Sequence, residues 1–307
     1  MQKLLRKKWA AMLAAVLCTV LWGSAYPVIK YGYSVMALDA TADKLMFAGV
    51  RFFLAGLMVF VFAWIKNRRF PAVPRSRIGG VLLYGALQTG LMYLLNYIGV
   101  AHTTATKTSI ITAASAFFAV MFAPLFFRGE RMTALKVIGV IIGMAGILLV
   151  NNTALDGFTF VGEGLVLLST LLNTAGSFVG KRVSKGIVYE STAYQLMFGG
   201  AMILLPAALM GGRMPLTLTS LLLVLYLAFV SAAAFTLWTA LLVLHEAGQI
   251  LVFNMLIPVT GALWSWLILG ESRIFEPLYL VSVLLTCIGV FMVNFPGKGR
   301  AGKGGDG

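Results

Sequence analysis

The sequence predicts an all-α integral membrane protein with ten transmembrane helices, arranged as two inverted-topology repeats of five. Three observations predict it: the overall hydropathy, the number and length of the apolar runs, and a Gly-Glu turn that occurs twice. Of the 307 residues, 60% are hydrophobic and only 11% charged, and mean hydropathy is +0.93. A water-soluble domain with that surface would aggregate.

A bilayer core of about 30 Å needs roughly 20 apolar residues at about 1.5 Å of rise each. Ten runs qualify: 9–30, 45–65, 78–98, 108–127, 134–151, 161–180, 193–210, 217–241, 247–269 and 275–295. The connections are too short to hide a soluble domain, and the runs lack the apolar-polar alternation of barrel strands. The first run follows a basic start as a signal peptide would, but it exceeds signal-peptide length and ends in no clear cleavage site, which predicts a retained helix.

The net charge of +14 is a topology signal. Eighteen of the 24 Lys and Arg fall into alternate connections, from Lys3–Lys8 through Lys66–Arg77, Arg128–Lys136 and Lys181–Lys185 to Lys298–Lys303. That bias follows the positive-inside rule and predicts a multi-pass membrane protein with both termini cytoplasmic. It gives no nucleic-acid footprint. Cys18 and Cys287 lie in apolar runs without metal-site spacing, so no metal and no cofactor is expected. The two histidines make no H-E-x-x-H pair, no paired Asp lies within a run and no Walker loop is present, which excludes the intramembrane enzymes and ATP-driven pumps those motifs mark. A receptor remains a rival class, and the repeat speaks against it.

The repeat is carried by "FFRGER" at 126–131 and "LILGES" at 267–272, each between two apolar runs of which the second ends in Val-Asn. Lys30 and Lys181 recur likewise. Five spans followed by five similar spans enter the membrane from opposite sides, as in many secondary transporters. The expected organisation is a cytoplasmic N-terminus (1–8), a first repeat (9–151), an outer linker (152–160), a second repeat (161–295) and a Gly-rich basic tail too polar to fold (296–307). Gly129 and Gly270 read as helix-ending hinge residues, and Glu130 and Glu271 as acidic residues at the N-terminal end of the helix that follows.

These stretches, together with "LWGSAYPVIKYG" in the first span and "AGVRFFLAGLMVF" in the second, resemble the EamA family of the drug/metabolite transporter superfamily. The resemblance covers essentially residues 10–295. It implies ten helices, a central cavity and export of amino acids or other small metabolites from bacteria. Trp22, Gly23, Arg51, Pro124, Gly129, Glu130, Gly143, Gly146, Pro258, Gly270, Glu271 and Gly289 stand at the family's recurrent positions. Asn173-Thr174-Ala175 departs from the pattern where a second Trp-Gly-Ser would fall.

Polar groups inside spans face a cavity or one another. None of the ten acidic residues lies mid-span, which leaves a carboxylate-centred cation or proton mechanism without its residue. Helical spacing groups Trp22 with Tyr26, Gln88 with Asn96, Thr112 with Thr108 and Ser115, Asn173 with Ser177, and Trp238 with Ser231 and Phe235; Asn254 shares a face with Gly261 and Ser265. Trp22, Tyr26, Gln88, Asn96, Thr112, Asn173, Ser177, Trp238 and Asn254 are the candidate substrate-binding residues. Each also fits interhelical packing.

Arg51, about 10 Å along its helix from Lys44, is expected to tie that helix to neighbouring carbonyls. Facing the cavity instead, it would favour a carboxylate-bearing substrate. Pro124 and Pro258 join the hinge set. Gly139-x-x-x-Gly143 fits a close contact within one chain or between two copies of a homodimer. The predicted function is secondary export of a small metabolite, an amino acid or related zwitterion or organic acid, by alternating access. A lipid-linked-substrate flippase is the competing transporter reading. The predicted partners are the small-molecule substrate and the lipid bilayer.

Overall fold

The computed structural model describes residues 2–103, 105–151, 158–270 and 277–295; Glu271 lies outside them. Helix dominates and no β-strand occurs among the described residues. In chain order the helices are α1 (Gln2–Leu5), α2 (Lys8–Val35), α3 (Thr41–Asn67), α4 (Ile78–Gly85), α5 (Leu91–Ala101), α6 (Ala105–Ala113), α7 (Ser115–Phe126), α8 (Ala134–Asn151), α9 (Leu165–Val183), α10 (Val188–Leu209), α11 (Leu218–Leu244), α12 (Ala247–Leu251), α13 (Leu256–Leu269) and α14 (Pro277–Asn294).

Among the described residues, seven helical stretches are long and apolar enough to cross a bilayer, with Ile111–Phe126 and Ala134–Leu149 as shorter apolar helices. Several predicted spans are interrupted. A π-helical turn, Ala86–Gly90, joins α4 to α5. The 108–127 span breaks at Ala114 between α6 and α7. A 3₁₀ turn, Val252–Met255, splits the 247–269 span between α12 and α13. Breaks of this kind leave the apolar count unchanged, so hydropathy passes over them.

The most extensive pairings are α3 with α10 and α8 with α14, followed by α2 with α13 and α11. Between helices in lipid there is no hydrophobic gain, so close backbone approach and van der Waals contact hold them. A Cβ at Gly289 would sit 2.4 Å from the Gly139 carbonyl oxygen, and one at Gly146 would sit 2.8 Å from the Ser282 carbonyl oxygen. On the other pairing, a Cβ at Gly56 would meet the Ala193 carbonyl at 2.7 Å, and one at Gly200 the Phe53 nitrogen at 2.5 Å. The Gly139-x-x-x-Gly143 motif is thus used inside the chain, against Gly289.

Gly270 ends α13 in the left-handed region at φ 71°, and its N–H donates to the Trp266 carbonyl. Gly129 has φ 108°, where a Cβ is strained. Pro124 lies inside α7, near its C-terminal end. Pro258 sits in the first turn of α13, where a missing N–H costs little.

Replacing Gly289 with Leu is expected to lower the melting temperature of detergent-purified protein, since overpacking costs about 1–3 kcal/mol. Gly79→Ala is the control: nothing lies within 4 Å of its Cβ position, so stability should hold or rise. Equal effects of the two would count against backbone contact as the source of stability.

Candidate functional site

The aromatic candidates converge between α2, α3, α5 and α11. Trp22 meets Trp238 edge-on at 5.0 Å and Phe235 at 5.5 Å between ring centroids. Phe235 continues to Phe52 at 6.3 Å, and Phe52 to Tyr93 at 4.5 Å. Tyr93 lies beside Tyr97, whose hydroxyl accepts a 3.1 Å hydrogen bond from Tyr33. The result is one aromatic wall running from Trp238 to Tyr33. Trp238 and Phe235 are buried in it, and Trp22, Tyr33, Tyr93 and Tyr97 are half-buried.

Arg51 belongs to this wall. Its guanidinium carbon lies 4.3 Å from the centre of the Phe52 ring, and it interacts electrostatically with the phenols of Tyr26, Tyr33 and Tyr93. The residue is only 5% exposed, and its Nε has no hydrogen-bond partner. The expected tie to neighbouring carbonyls has no described hydrogen bond behind it. Among the described residues no carboxylate pairs with Arg51: the ion pairs are Lys107–Glu163, Lys136–Glu246 and Lys181–Glu130. An Arg at membrane depth costs on the order of 3 kcal/mol on insertion scales, so an unpaired one is unusual. Tyr26, by contrast, is 58% exposed.

The amide candidates form a second cluster. The side-chain amide of Gln88, in the π turn, donates to Asn173 Oδ1 at 2.6 Å, and Ser177 donates to Gln88 Oε1 at 3.2 Å. Asn96 reaches Ser169 at 3.4 Å, and Thr89 donates to Gln195 at 2.9 Å. The small residues of α9 permit this approach, because a Cβ at Gly176 would strike Gln88 Oε1 at 2.7 Å. Thr112 donates to the Thr108 carbonyl of its own helix, and Asn254 occupies the 3₁₀ turn between α12 and α13.

Glu130 acts elsewhere than expected. Its carboxylate does not serve the helix that follows it. It accepts from the backbone N–H groups of Ala247 (2.8 Å) and Gly248 (3.3 Å), at the start of α12, and from Lys181 Nζ at 2.6 Å. Lys181 also donates to the His245 carbonyl, at 2.6 Å. A carboxylate at a helix N-terminus is favourable wherever that helix comes from in the chain. At the other end of α9, Glu163 gathers Lys107, the Thr103 hydroxyl, and both the N–H and hydroxyl of Thr159.

Sequence reasoning missed Phe52, Tyr33, Tyr93 and Tyr97. The available signals were the i, i+7 spacing of Tyr26 and Tyr33 and the i, i+4 spacing of Tyr93 and Tyr97.

A multi-pass helical bundle with interrupted helices and an aromatic centre carrying a guanidinium fits an integral membrane protein, and the family model it matches is one of transporters, not of enzymes. The chain belongs to the EamA-like transporter family, which it matches over residues 9–152 and 160–295. It is similar to the uncharacterized transporter YoaV of Bacillus subtilis (strain 168), 23% identical, with 92% of this chain and 96% of that protein covered. It is also similar to a protein of Escherichia coli (strain K12) named a probable amino-acid metabolite efflux pump, 26% identical over 84% of this chain and 86% of the relative. A solved crystal structure matches with a TM-score of 0.77 at 16% identity, covering 93% of this chain and 96% of its own; that likeness concerns the fold.

Glu130 and Lys181 are both largely buried, with side chains 6% and 11% exposed, so breaking the pair by Glu130→Gln is expected to cost about 3–5 kcal/mol. Adding Lys181→Met should restore part of the loss. A double variant as unstable as the sum of its parts would mean that the two side chains act independently.

Proposed function

We propose that this chain is a secondary exporter of a small metabolite, an amino acid or a related zwitterion or organic acid, working by alternating access across the bacterial cytoplasmic membrane. In this reading ten spans form two inverted repeats, 9–151 and 161–295, with both termini cytoplasmic. The name of the Escherichia coli relative supports the substrate class.

One observation carries the reading. Contacts recur when residues are exchanged for their counterparts in the other repeat. A step of 151 residues takes Trp22 to Asn173, and one of 150 takes Gln88 to Trp238. Trp22 contacts Trp238, and Asn173 bonds Gln88. The 143-residue step from Asn151 to Asn294 likewise takes Gly146 to Gly289 and Gly139 to Ser282; Gly146 approaches Ser282, and Gly289 approaches Gly139. Helix pairings follow the same exchange, with α2 on α13 answered by α9 on α6 and α7. Two similar halves packed in this way give inward-open and outward-open states of comparable energy. The breaks at Ala114 and at Val252–Met255 fall in the corresponding fourth and ninth spans. Interrupted helices at matched places are the usual neighbours of a midplane site.

A second reading, a flippase for a lipid-linked substrate, draws on a cavity of about 430 Å³ between α7 and α9, lined mostly by Phe122, Phe126, Leu171, Phe178 and Val179, with Arg182 among its lining residues.

Thermal shift of the purified protein against neutral, acidic, basic and aromatic amino acids is the first test, because a ligand at 100 times its Kd adds about 2.7 kcal/mol to the folded state. A shift with an amino acid that Trp22→Ala weakens, followed by uptake into proteoliposomes, supports the exporter. Flipping of a labelled lipid with no shift from any soluble compound would sink it in favour of the second reading. Gly129→Leu, strained at φ 108°, is expected to slow turnover several-fold with affinity nearly intact; parallel loss of both would remove Gly129 from the hinge.

A further inference from the structure

We infer that Arg51 is the anchor for a carboxylate on the transported molecule, and that an α-ammonium on that molecule is dispensable for binding. The inference rests on the exporter reading and names the substrate class of its site. A guanidinium keeps its charge when buried, and its stable partners are planar oxyanions that take two of its N–H groups at once. Arg51 is 5% exposed, its Nε has no partner, and no described carboxylate pairs with it. No acidic residue lies in the middle of any apolar run that could serve instead.

The guanidinium carbon lies 4.3 Å from the centre of the Phe52 ring. A guanidinium held against an aromatic ring can still give its N–H groups to an oxyanion, and Nε here has no hydrogen-bond partner. The phenols of Tyr26, Tyr33 and Tyr93 lie within electrostatic range of it. Tyr26, on α2, is largely exposed, which gives this group of residues an open side. Phenol hydroxyls donate to an anion and their ring faces take an apolar side chain.

The same surroundings say what is not required. An ammonium gains most from a carboxylate; this wall offers it aromatic faces and hydroxyls, with the like charge of Arg51 beside them. A hydroxy acid or a keto acid therefore satisfies the anchor as an amino acid does, whereas an amine without a carboxylate has the cation–π contacts alone, set against repulsion from Arg51.

The test compares three probes of one skeleton, L-phenylalanine, phenyllactate and phenethylamine, on the full chain in detergent, with chloride as the inorganic-anion control. Binding is read by thermal shift and by tryptophan fluorescence, since Trp22 and Trp238 stand in the wall. The expected result is binding of both carboxylates with Kd values within a few-fold of each other, and none of phenethylamine. Arg51→Met should weaken the carboxylates about ten- to hundred-fold, and Arg51→Lys less. Ligand-free Arg51→Met should melt no lower than wild type, because it removes an unpaired buried charge; a clear fall would restore Arg51 to a purely structural role and overturn the inference. Equal binding of phenethylamine, an equal shift from chloride alone, or no shift from either carboxylate overturns it too. Counterflow in proteoliposomes separates the two readings. Carboxylates that bind through Arg51 but are not carried leave the anchor standing and defeat the exporter. Carriage unchanged in Arg51→Met does the reverse.

Discussion

Backbone contact at glycine is the constraint on which the rest of the molecule depends. Inside a bilayer the apolar side chains gain nothing by leaving lipid for protein, so helices associate only where their surfaces fit closely. Here Gly49, Gly56 and Gly200 bring α3 against α10, and Gly139, Gly146 and Gly289 bring α8 against α14. The first crossing also sets the site. At about 100° per residue, Arg51 lies nearly opposite Gly49 on α3, so pinning one face of the helix to α10 turns the guanidinium toward α2, α5 and α11. Its burial follows from where the glycines are.

The ends of α9 are fixed by a different force. At one end Lys181 and Glu130 join with the first N–H groups of α12, and at the other Glu163 collects Lys107 and two threonines. Desolvating these charges is costly, and only the number of donors around each carboxylate offsets it. Neither end of α9 moves without exposing a carboxylate that now has several partners. In an alternating-access carrier the two clusters would therefore be broken at different stages. In that reading each is a latch whose strength depends on hydrogen bonds to backbone as well as on the ion pair.

Much of this was legible in the sequence. Hydropathy identified the all-helical membrane fold and seven of its long apolar helices, and the left-handed conformations of Gly129 and Gly270 are what a Gly-Glu turn after an apolar run implies. The i, i+4 pattern put Trp22 with Tyr26, and Trp238 on one face with Phe235, all near the centre. What the pattern hid was long-range choice. Glu130 precedes one helix in sequence and caps another in space, because α12 approaches it from more than a hundred residues away. Phe52 and the tyrosines of α5 were overlooked for a related reason: an aromatic residue in an apolar span reads alike whether it faces lipid or a pocket. The breaks at Ala114 and Val252–Met255 change hydrogen bonding and leave composition untouched, so no periodicity argument finds them.

The proposed repeats are alike in packing and unlike in chemistry, and the difference bears on how many sites there are. The 151-residue step that takes Lys30 to Lys181 and Gly49 to Gly200 takes Arg51 to Met202 and Tyr26 to Ser177. Around Trp22 the wall is aromatic and carries an unpaired cation. Around Asn173 the corresponding space is filled by hydrogen bonds among Gln88, Asn173 and Ser177, and Met202 packs on Gly90. Gln88, Asn173 and Ser177 bond one another, whereas the buried Arg51 guanidinium has an Nε without a hydrogen-bond partner. Duplication of the fold therefore need not duplicate the site. In the proposed two-repeat reading, the asymmetry puts the Arg51 guanidinium on the first-repeat side of the centre and the amide cluster around Asn173 on the other.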